Sequence, residues 1–303
     1  MFVSIIICTR NRKEELLRIC RSISPQSYTN YEIVIVDSSN KEKTEKSEIE
    51  ELIAGTNNIV FINSEPGLTK QRNIGLNAAN GDLFFFFDDD MILEENFLEE
   101  MVKVYQSNHD YYGGMGAFTD FKPPRLKHRF KKLVKNFFLL QQDYGNGKFH
   151  KSGFPQHPFG KEVFMETEVI GGAMMSFRRE VFEEFKFDEH FSAYSYMEDV
   201  DISRRVSNKY KLFYNPKARA EHRHGEGGRG NYFENRRMYI YNHRYLFERN
   251  FPQTMSNQIA HKWSILGLYA FAVISLNQPL LSFKAYSKGL KDYREAKRKQ
   301  FQV

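Results

Sequence analysis

Asp88, Asp89 and Asp90 follow four consecutive phenylalanines at positions 84–87. An apolar run that ends on a carboxylate cluster reads as a strand delivering charge to the edge of a sheet. Side chains two apart on a strand share a side, so Asp88 and Asp90 can face one cation while Asp89 faces away. Hard oxygen donors of this kind suit Mg²⁺ or Mn²⁺, ions that commonly bridge a protein carboxylate and a substrate diphosphate. A second acidic group, Glu198-Asp199-Val200-Asp201, opens a stretch of helical character. A carboxylate there either caps the helix or takes the proton of a nearby hydroxyl as general base, and the residues alone leave both readings open. His222 stands just before a basic, glycine-rich segment at 223–229, a position suited to a third metal ligand. That segment reads as a loop able to close over an anionic ligand.

These side chains need elements to hold them. Residues 2–9, 31–37, 59–62 and 83–87 are apolar runs without alternation, the pattern of strands buried on both faces. Helix-compatible stretches at 12–24, 41–54 and 67–79 separate them, which predicts a doubly wound, mostly parallel sheet. In such sheets ligands bind beyond the carboxyl ends of the strands. Those ends carry Thr9-Arg10-Asn11-Arg12, Asp37-Ser38-Ser39 and the three aspartates, so one edge collects a site.

Further along, residues 113–121 and 169–177 read as strands, the second with Gly171-Gly172 inside it where something approaches the backbone closely. Residues 125–140 read as a basic amphipathic helix, 145–160 as a long irregular loop, and 199–207 and 232–251 as helices. Residues 211–222 read as two paired short strands with a turn at Asn215-Pro216.

Composition narrows the partners. A net charge of +6 and a pI near 9.0 favour a nucleotide diphosphate, an acidic lipid surface or nucleic acid. No helix-turn-helix, zinc knuckle or basic-aromatic RNA signature accompanies the charge, so nucleic acid is not expected. Cys8 and Cys20 sit on apolar stripes and read as buried, reduced thiols. With no basic leader ahead of the first strand, the expectation is a cytoplasmic protein.

Taken together these residues resemble glycosyltransferase family 2, inverting enzymes of the GT-A fold, over residues 2–250. Val3-Ser4-Ile5-Ile6-Ile7-Cys8-Thr9-Arg10-Asn11-Arg12 is similar to the family's first strand and donor-binding turn. Tyr31-Glu32-Ile33-Val34-Ile35-Val36-Asp37 resembles the second, whose Asp meets the nucleoside. Gly67-Leu68-Thr69-Lys70-Gln71-Arg72-Asn73 resembles the stretch in which an Arg-Asn pair lies beside the nucleotide. Asp88-Asp89-Asp90 is similar to the DxD signature, Glu198-Asp199 to the segment carrying the base, and the run from Pro216 to His222 to the segment supplying a metal-binding histidine. The loop after His222 reads His224-Gly225-Glu226-Gly227-Gly228, not the Gly-Ser pair of many members.

The resemblance implies a Rossmann-like, mostly parallel central sheet flanked by helices, with a helical C-terminal extension. It divides the chain into a nucleotide-sugar half (1–110), an acceptor and catalytic half (111–250) and a helical extension (251–303). Asp199 would be the base with Glu198 beside it. Thr9, Asn11, Arg12, Asp37, Arg72, Asp88 and Asp89 would bind the donor, a nucleotide diphosphate sugar, and Asp88, Asp90 and His222 would hold Mn²⁺ or Mg²⁺. The acceptor would be a glycan or lipid-linked glycan of surface polysaccharide assembly. Two other readings share parts of the pattern. A non-catalytic nucleotide-sugar-binding subunit would have no need of a base. A sugar nucleotidyltransferase would open with a glycine-rich basic loop, which residues 9–12 lack.

Residues 263–283 approach the length of a bilayer span but are broken by Ser264, Ser275, Asn277, Gln278 and Pro279. The expectation is a packing or interfacial helix, with the basic segments 125–135 and 284–299 available to anionic lipid at the inner face of the plasma membrane.

Overall fold

The computed structural model describes all residues except 42, 54–57, 122–127, 192–195, 224–230, 277 and 301–303, together with the side chains of 128, 129 and 300. The chain begins with alternation: β1 (Val3–Thr9), α1 (Lys13–Ile23), β2 (Tyr31–Asp37), α2 (Lys46–Leu52), β3 (Ile59–Asn63), α3 (Leu68–Ala78) and β4 (Leu83–Asp88). β1 pairs in parallel with both β2 and β4, and β2 with β3, so the strand order is β3-β2-β1-β4. β1, β2 and β4 are buried along nearly their whole length, as their unbroken apolar runs require.

Beyond β4 the sheet becomes mixed. The chain continues through β5 (Met91–Leu93), α4 (Phe97–Ser107), β6 (Tyr111–Phe118), α5 (His128–Phe137), β7 (Met165–Thr167), β8 (Met174–Arg178), α6 (Val181–Glu184), α7 (Glu198–Ser207) and β9 (Lys211–His222). Among the described residues the full order is β3-β2-β1-β4-β8-β6-β9-β5, with β7 also on β9. Three helices follow: α8 (Tyr232–Asn250), α9 (Met255–Ile274) and α10 (Pro279–Gln300).

Three local expectations need correction. Residues 211–222 are one strand, not two, and the expected turn is a bulge. Its register against β6 jumps from Met115↔Tyr214 to Ala117↔Arg219. Pro216 has no N–H for the ladder, yet the chain stays extended because Asn215 bridges the gap, donating to Glu100 O at 3.0 Å and accepting from Lys217 N–H at 3.1 Å. Gly171 and Gly172 lie just before β8, not within it, although the close approach is real. A Cβ on Gly171 would come within 2.7 Å of the Phe159 ring, and one on Gly172 within 3.1 Å of Asp199. The apolar stretch 263–283 divides between α9 and α10, and among the described residues no helix is long and apolar enough to cross a membrane.

The chain forms two compact units, one of residues 1–121 and 158–227 and the other of 122–157 and 228–303. The first holds the whole sheet. Its core has Ile5, Ile33 and Phe85 in the strands and Leu16 and Leu98 on the flanking helices. The second is helical and carries its own small core, with Leu140, Phe154, Ile240, Leu268 and Tyr286.

Candidate active site

β1 and β4 end side by side, and the residues at and just past their ends interlock. Thr9 Oγ1 donates to Asp89 Oδ2 at 2.8 Å. Arg12, in the turn that leaves β1, reaches Asp89 Oδ1 at 2.7 Å and Asp90 Oδ2 at 2.8 Å. Asp89 is therefore buried against the end of β1 and is tied to the residues expected to meet the donor.

His222 is brought to Asp90 by strand pairing. Met91 on β5 stands opposite His222 on β9, and Arg223 N–H donates to Asp90 O at 3.0 Å. His222 Nε2 lies 3.0 Å from Asp90 Oδ1, its ring stacked on Phe118 with centroids 5.7 Å apart. One ligand atom each from Asp88, Asp90 and His222 falls within 4.8 Å of the others. Two carboxylate oxygens and an imidazole nitrogen converging at a sheet edge fit a divalent cation whose remaining positions go to water or diphosphate oxygens.

Arg72, on α3, organises the other side. Its guanidinium is buried and donates to Glu198 Oε1 at 2.9 Å, to Asp88 Oδ1 at 3.3 Å and to Gly172 O at 3.1 Å. The three acids that open α7 then separate. Glu198 is 6% exposed and is held by Arg72. Asp201 is fully buried and holds Arg205 at 2.6 Å. Asp199 is half-buried, with Oδ2 accepting from Gly172 N–H and Oδ1 from Val200 N–H, both at 2.9 Å. Asp199 alone of the three is half-buried and not fully buried. Met197, just before the pair, has φ 75° in the left-handed region, a strained conformation for a non-glycine residue.

Charge in the site follows burial and pairing. Desolvation pushes Glu198 up to about 8, the neighbouring Asp199 adding to it and Arg72 opposing. Asp199 is raised as well, desolvation outweighing the amides of Gly172 and Val200. Desolvation works against the charge on Asp90, but hydrogen bonds from His222 and Arg12 hold its carboxyl well below the usual range. His222 is raised in return, Asp90 overcoming the effect of burial. A bound cation would take over the role of the His222 proton and reverse that shift.

At the end of β2, Asp37 is buried, with Oδ1 accepting from Ser39 N–H at 2.7 Å. Asn11 sits at φ 53° and clips two loops together. Its N–H donates to Ser39 Oγ at 2.6 Å, and its Oδ1 accepts from Asn40 and Lys41 N–H at 3.0 Å. Gln71 fastens the ends of β1 and β2 through Nε2, to Thr9 O at 3.0 Å and Val36 O at 2.8 Å. Nothing in the sequence singles out Gln71 or Phe118, because a glutamine between two basic residues and an aromatic at a strand end are both ordinary. Of the segment at 223–229 expected to close over an anion, residues 224–229 lie outside the described residues.

A Rossmann-like sheet carrying an acidic site at the carboxyl edge of its parallel strands defines the GT-A glycosyltransferase class, and solved structures support that fold. A mannosyltransferase from Pyrobaculum calidifontis, solved with GDP-Man and Mn²⁺, superposes with a TM-score of 0.59 at 16% identity, covering 96% of this chain and 87% of that one. The chain belongs to glycosyl transferase family 2, whose family model matches residues 4–185. Among curated relatives, a glucosyl-dolichyl phosphate glucuronosyltransferase of Haloferax volcanii is 24% identical over 239 residues, 74% of this chain and 69% of that protein. A GalNAc(5)-diNAcBac-PP-undecaprenol beta-1,3-glucosyltransferase of Campylobacter jejuni is 28% identical over 152 residues, 48% of each chain.

Proposed function

We propose that this protein is an inverting, metal-dependent glycosyltransferase that moves a sugar from a nucleotide diphosphate donor to the hydroxyl of a lipid-linked glycan, at the cytoplasmic face of the membrane. The observation that carries this reading is the placement of Asp199, half-buried where Glu198 and Asp201 are buried. It is held on α7 beside the Asp88–Asp90–His222 donor set, with Arg72 joining the two halves. In this reading residues 1–110 bind the donor, 111–250 supply acceptor and base, and 251–303 extend the protein toward lipid.

Asp199 takes the acceptor O–H proton as the acceptor oxygen forms its bond to the anomeric carbon. The bond from that carbon to the diphosphate oxygen breaks on the opposite face, and the electron pair leaves with the diphosphate, so the configuration inverts. Asp88, Asp90 and His222 would hold Mn²⁺ or Mg²⁺, which when bound offsets the charge growing on the leaving group. Arg72 keeps Glu198, Asp88 and the Gly172 carbonyl in register, and Gly172 in turn holds Asp199. Asp37, Thr9, Asn11 and Arg12 form the donor edge.

The lipid-linked acceptor draws on the relatives, whose names specify dolichyl phosphate and undecaprenol substrates.

The first test is release of nucleoside diphosphate from UDP-, GDP- and dTDP-linked sugars with Mn²⁺ and with EDTA. Metal-dependent release from one donor is the expected result. Silence across the panel, joined to no metal-dependent nucleotide binding by calorimetry, would overturn the reading.

A further inference from the structure

The second unit exposes the apolar side of α5. Phe130, Leu133 and Phe137 stand 62%, 65% and 64% exposed, while Lys131, Lys132 and Lys135 between them are half-buried. A helix bounded by water does the reverse. The Lys135 ammonium even lies over the Phe271 ring, 5.6 Å from its centroid.

α9 continues the same surface. Ile259, Trp263, Leu266 and Val273 recur at helical spacing, each on the exposed side. Trp263 joins the two helices: its ring packs on Phe137 at 5.2 Å and Phe138 at 4.9 Å, and its Nε1–H donates to Phe137 O at 2.8 Å. Gly267 allows the close approach, since a Cβ there would lie 2.3 Å from Phe138 Cβ. At the far end, Leu276 and Leu280 extend the apolar face at the turn into α10. Neither α5 nor α9 contains an aspartate or glutamate, so every formal charge on either helix is positive.

We propose that the α5–α9 face is a membrane-docking surface that seats Phe130, Leu133, Phe137 and Trp263 among acyl chains while its lysines meet anionic headgroups. The proposal deepens the reading of a lipid-linked acceptor by naming the surface that meets the bilayer, and it rests on that reading only for its biological purpose. Charge complementarity selects the occupant. Large apolar side chains beside purely basic ones match an anionic bilayer surface. A second copy of the chain would instead set lysines against lysines. Insertion is interfacial, because no described helix has the length and apolarity to cross.

Trp263 is the only tryptophan in the chain and sits within the ridge, so it reports directly. The full-length protein is mixed with phosphatidylcholine vesicles, with and without phosphatidylglycerol. The expected result is co-sedimentation favoured by phosphatidylglycerol and weakened by salt, with a blue shift of Trp263 emission and quenching by lipids brominated on their acyl chains. Leu133→Glu with Leu266→Glu should reduce vesicle binding at least about tenfold, leaving far-UV circular dichroism and metal-dependent donor hydrolysis unchanged. Failure to bind either vesicle overturns the proposal. So does a concentration-dependent dimer that the double variant dissolves, which would make a second copy the occupant. Donor hydrolysis on the same preparation reads the chemistry separately, so a chain that hydrolyses donor but ignores vesicles counts against the docking surface alone.

Discussion

Glu198 and Asp199 are neighbours whose side chains meet different surroundings. Glu198 is held by Arg72, whereas the two oxygens of half-buried Asp199 accept from the backbone amides of Gly172 and Val200. Replacing Asp199 with Asn should lower turnover by about 10²–10⁴ with nucleotide affinity retained. Single-turnover kinetics beside calorimetry checks this, and unchanged turnover would remove Asp199 as base. Glu198→Gln should behave differently, weakening the Arg72 pairing and costing about 1–3 kcal/mol of stability, measurable by urea unfolding. Burial pushes the thiols of Cys8 and Cys20 up to about 12, so native protein at mildly alkaline pH should resist iodoacetamide and yield two alkylated sites once unfolded. Cys20 is buried whereas Cys8, expected to be buried too, is only half-buried, so labelling of Cys20 at the rate of a free cysteine would contradict its placement. The aspartates were legible as a carboxylate cluster closing an apolar run, but strand alternation is not what gathers Asp88 and Asp90, because β4 ends at Asp88, and Asp89 and Asp90 lie in the turn that follows. The choice between Glu198 and Asp199 was not legible, since it depends on Arg72, 126 residues away from Glu198 in sequence.

The unbroken apolar runs announce β1, β2 and β4, because a strand covered on both faces has no polar alternation to blur it, while β3, expected to be the same, lies at the sheet edge and is only partly buried. Strands β5 and β7, three residues each, carry no such pattern, and β5 is the one that pairs His222 into place beside Asp90. Helix contacts were equally silent. Gly267 is an unremarkable residue in the sequence of α9, yet its missing Cβ is what lets Phe138 approach. Gly267→Val should wedge α5 away from α9, costing about 1–3 kcal/mol and shifting Trp263 emission. An unperturbed emission spectrum and melting temperature would refute the contact.

The helical unit also holds a stack of rings. His243 lies parallel between Phe154, with centroids 3.5 Å apart, and His261 at 5.0 Å, and Phe247 covers His261 at 4.0 Å. Desolvation pushes His157 and His261 down to about 4, and His243 well below its usual value. Below the ordinary histidine pKa of about 6.5 the unfolded chain binds protons that the native chain refuses, so stability falls as pH drops from there toward 4. The ceiling is about 3 kcal/mol for each fully excluded proton. Urea midpoints across that range should show the loss, and His243→Phe with His261→Phe should reduce it to the part that His157 contributes.

At the scale of the whole chain, ligand and proton act on different units. Mn²⁺ with the nucleoside diphosphate released from the preferred donor should slow hydrogen exchange in peptides from 1–121 and 158–227, the unit that carries the acidic site. Mild acid should speed exchange in peptides from 122–157 and 228–303, which hold the buried histidines. Uniform responses across both sets would mean that the units do not open separately. The alternation of strands and helices in the first hundred residues made the sheet unit legible. Which distant segments build the helical unit was not, because its core joins Leu140 and Phe154 to Leu268 and Tyr286 across the sequence, and no local pattern records such a match.

The chain leaves the sheet unit after Phe121 and returns at Pro158, and the rings of Phe121 and Phe159 lie 5.7 Å apart. For protein engineering this means that trimming from the C-terminus is the wrong cut. A chain stopped at 227 would keep 122–157 while losing the helices that cover Leu140 and Phe154, leaving a sticky remnant in the middle of the sequence. Because the two exit points adjoin, that remnant can be spliced out and the gap closed by a few flexible residues at small entropic cost. The sheet unit taken alone is thus a two-cut product, 1–121 joined to 158–227.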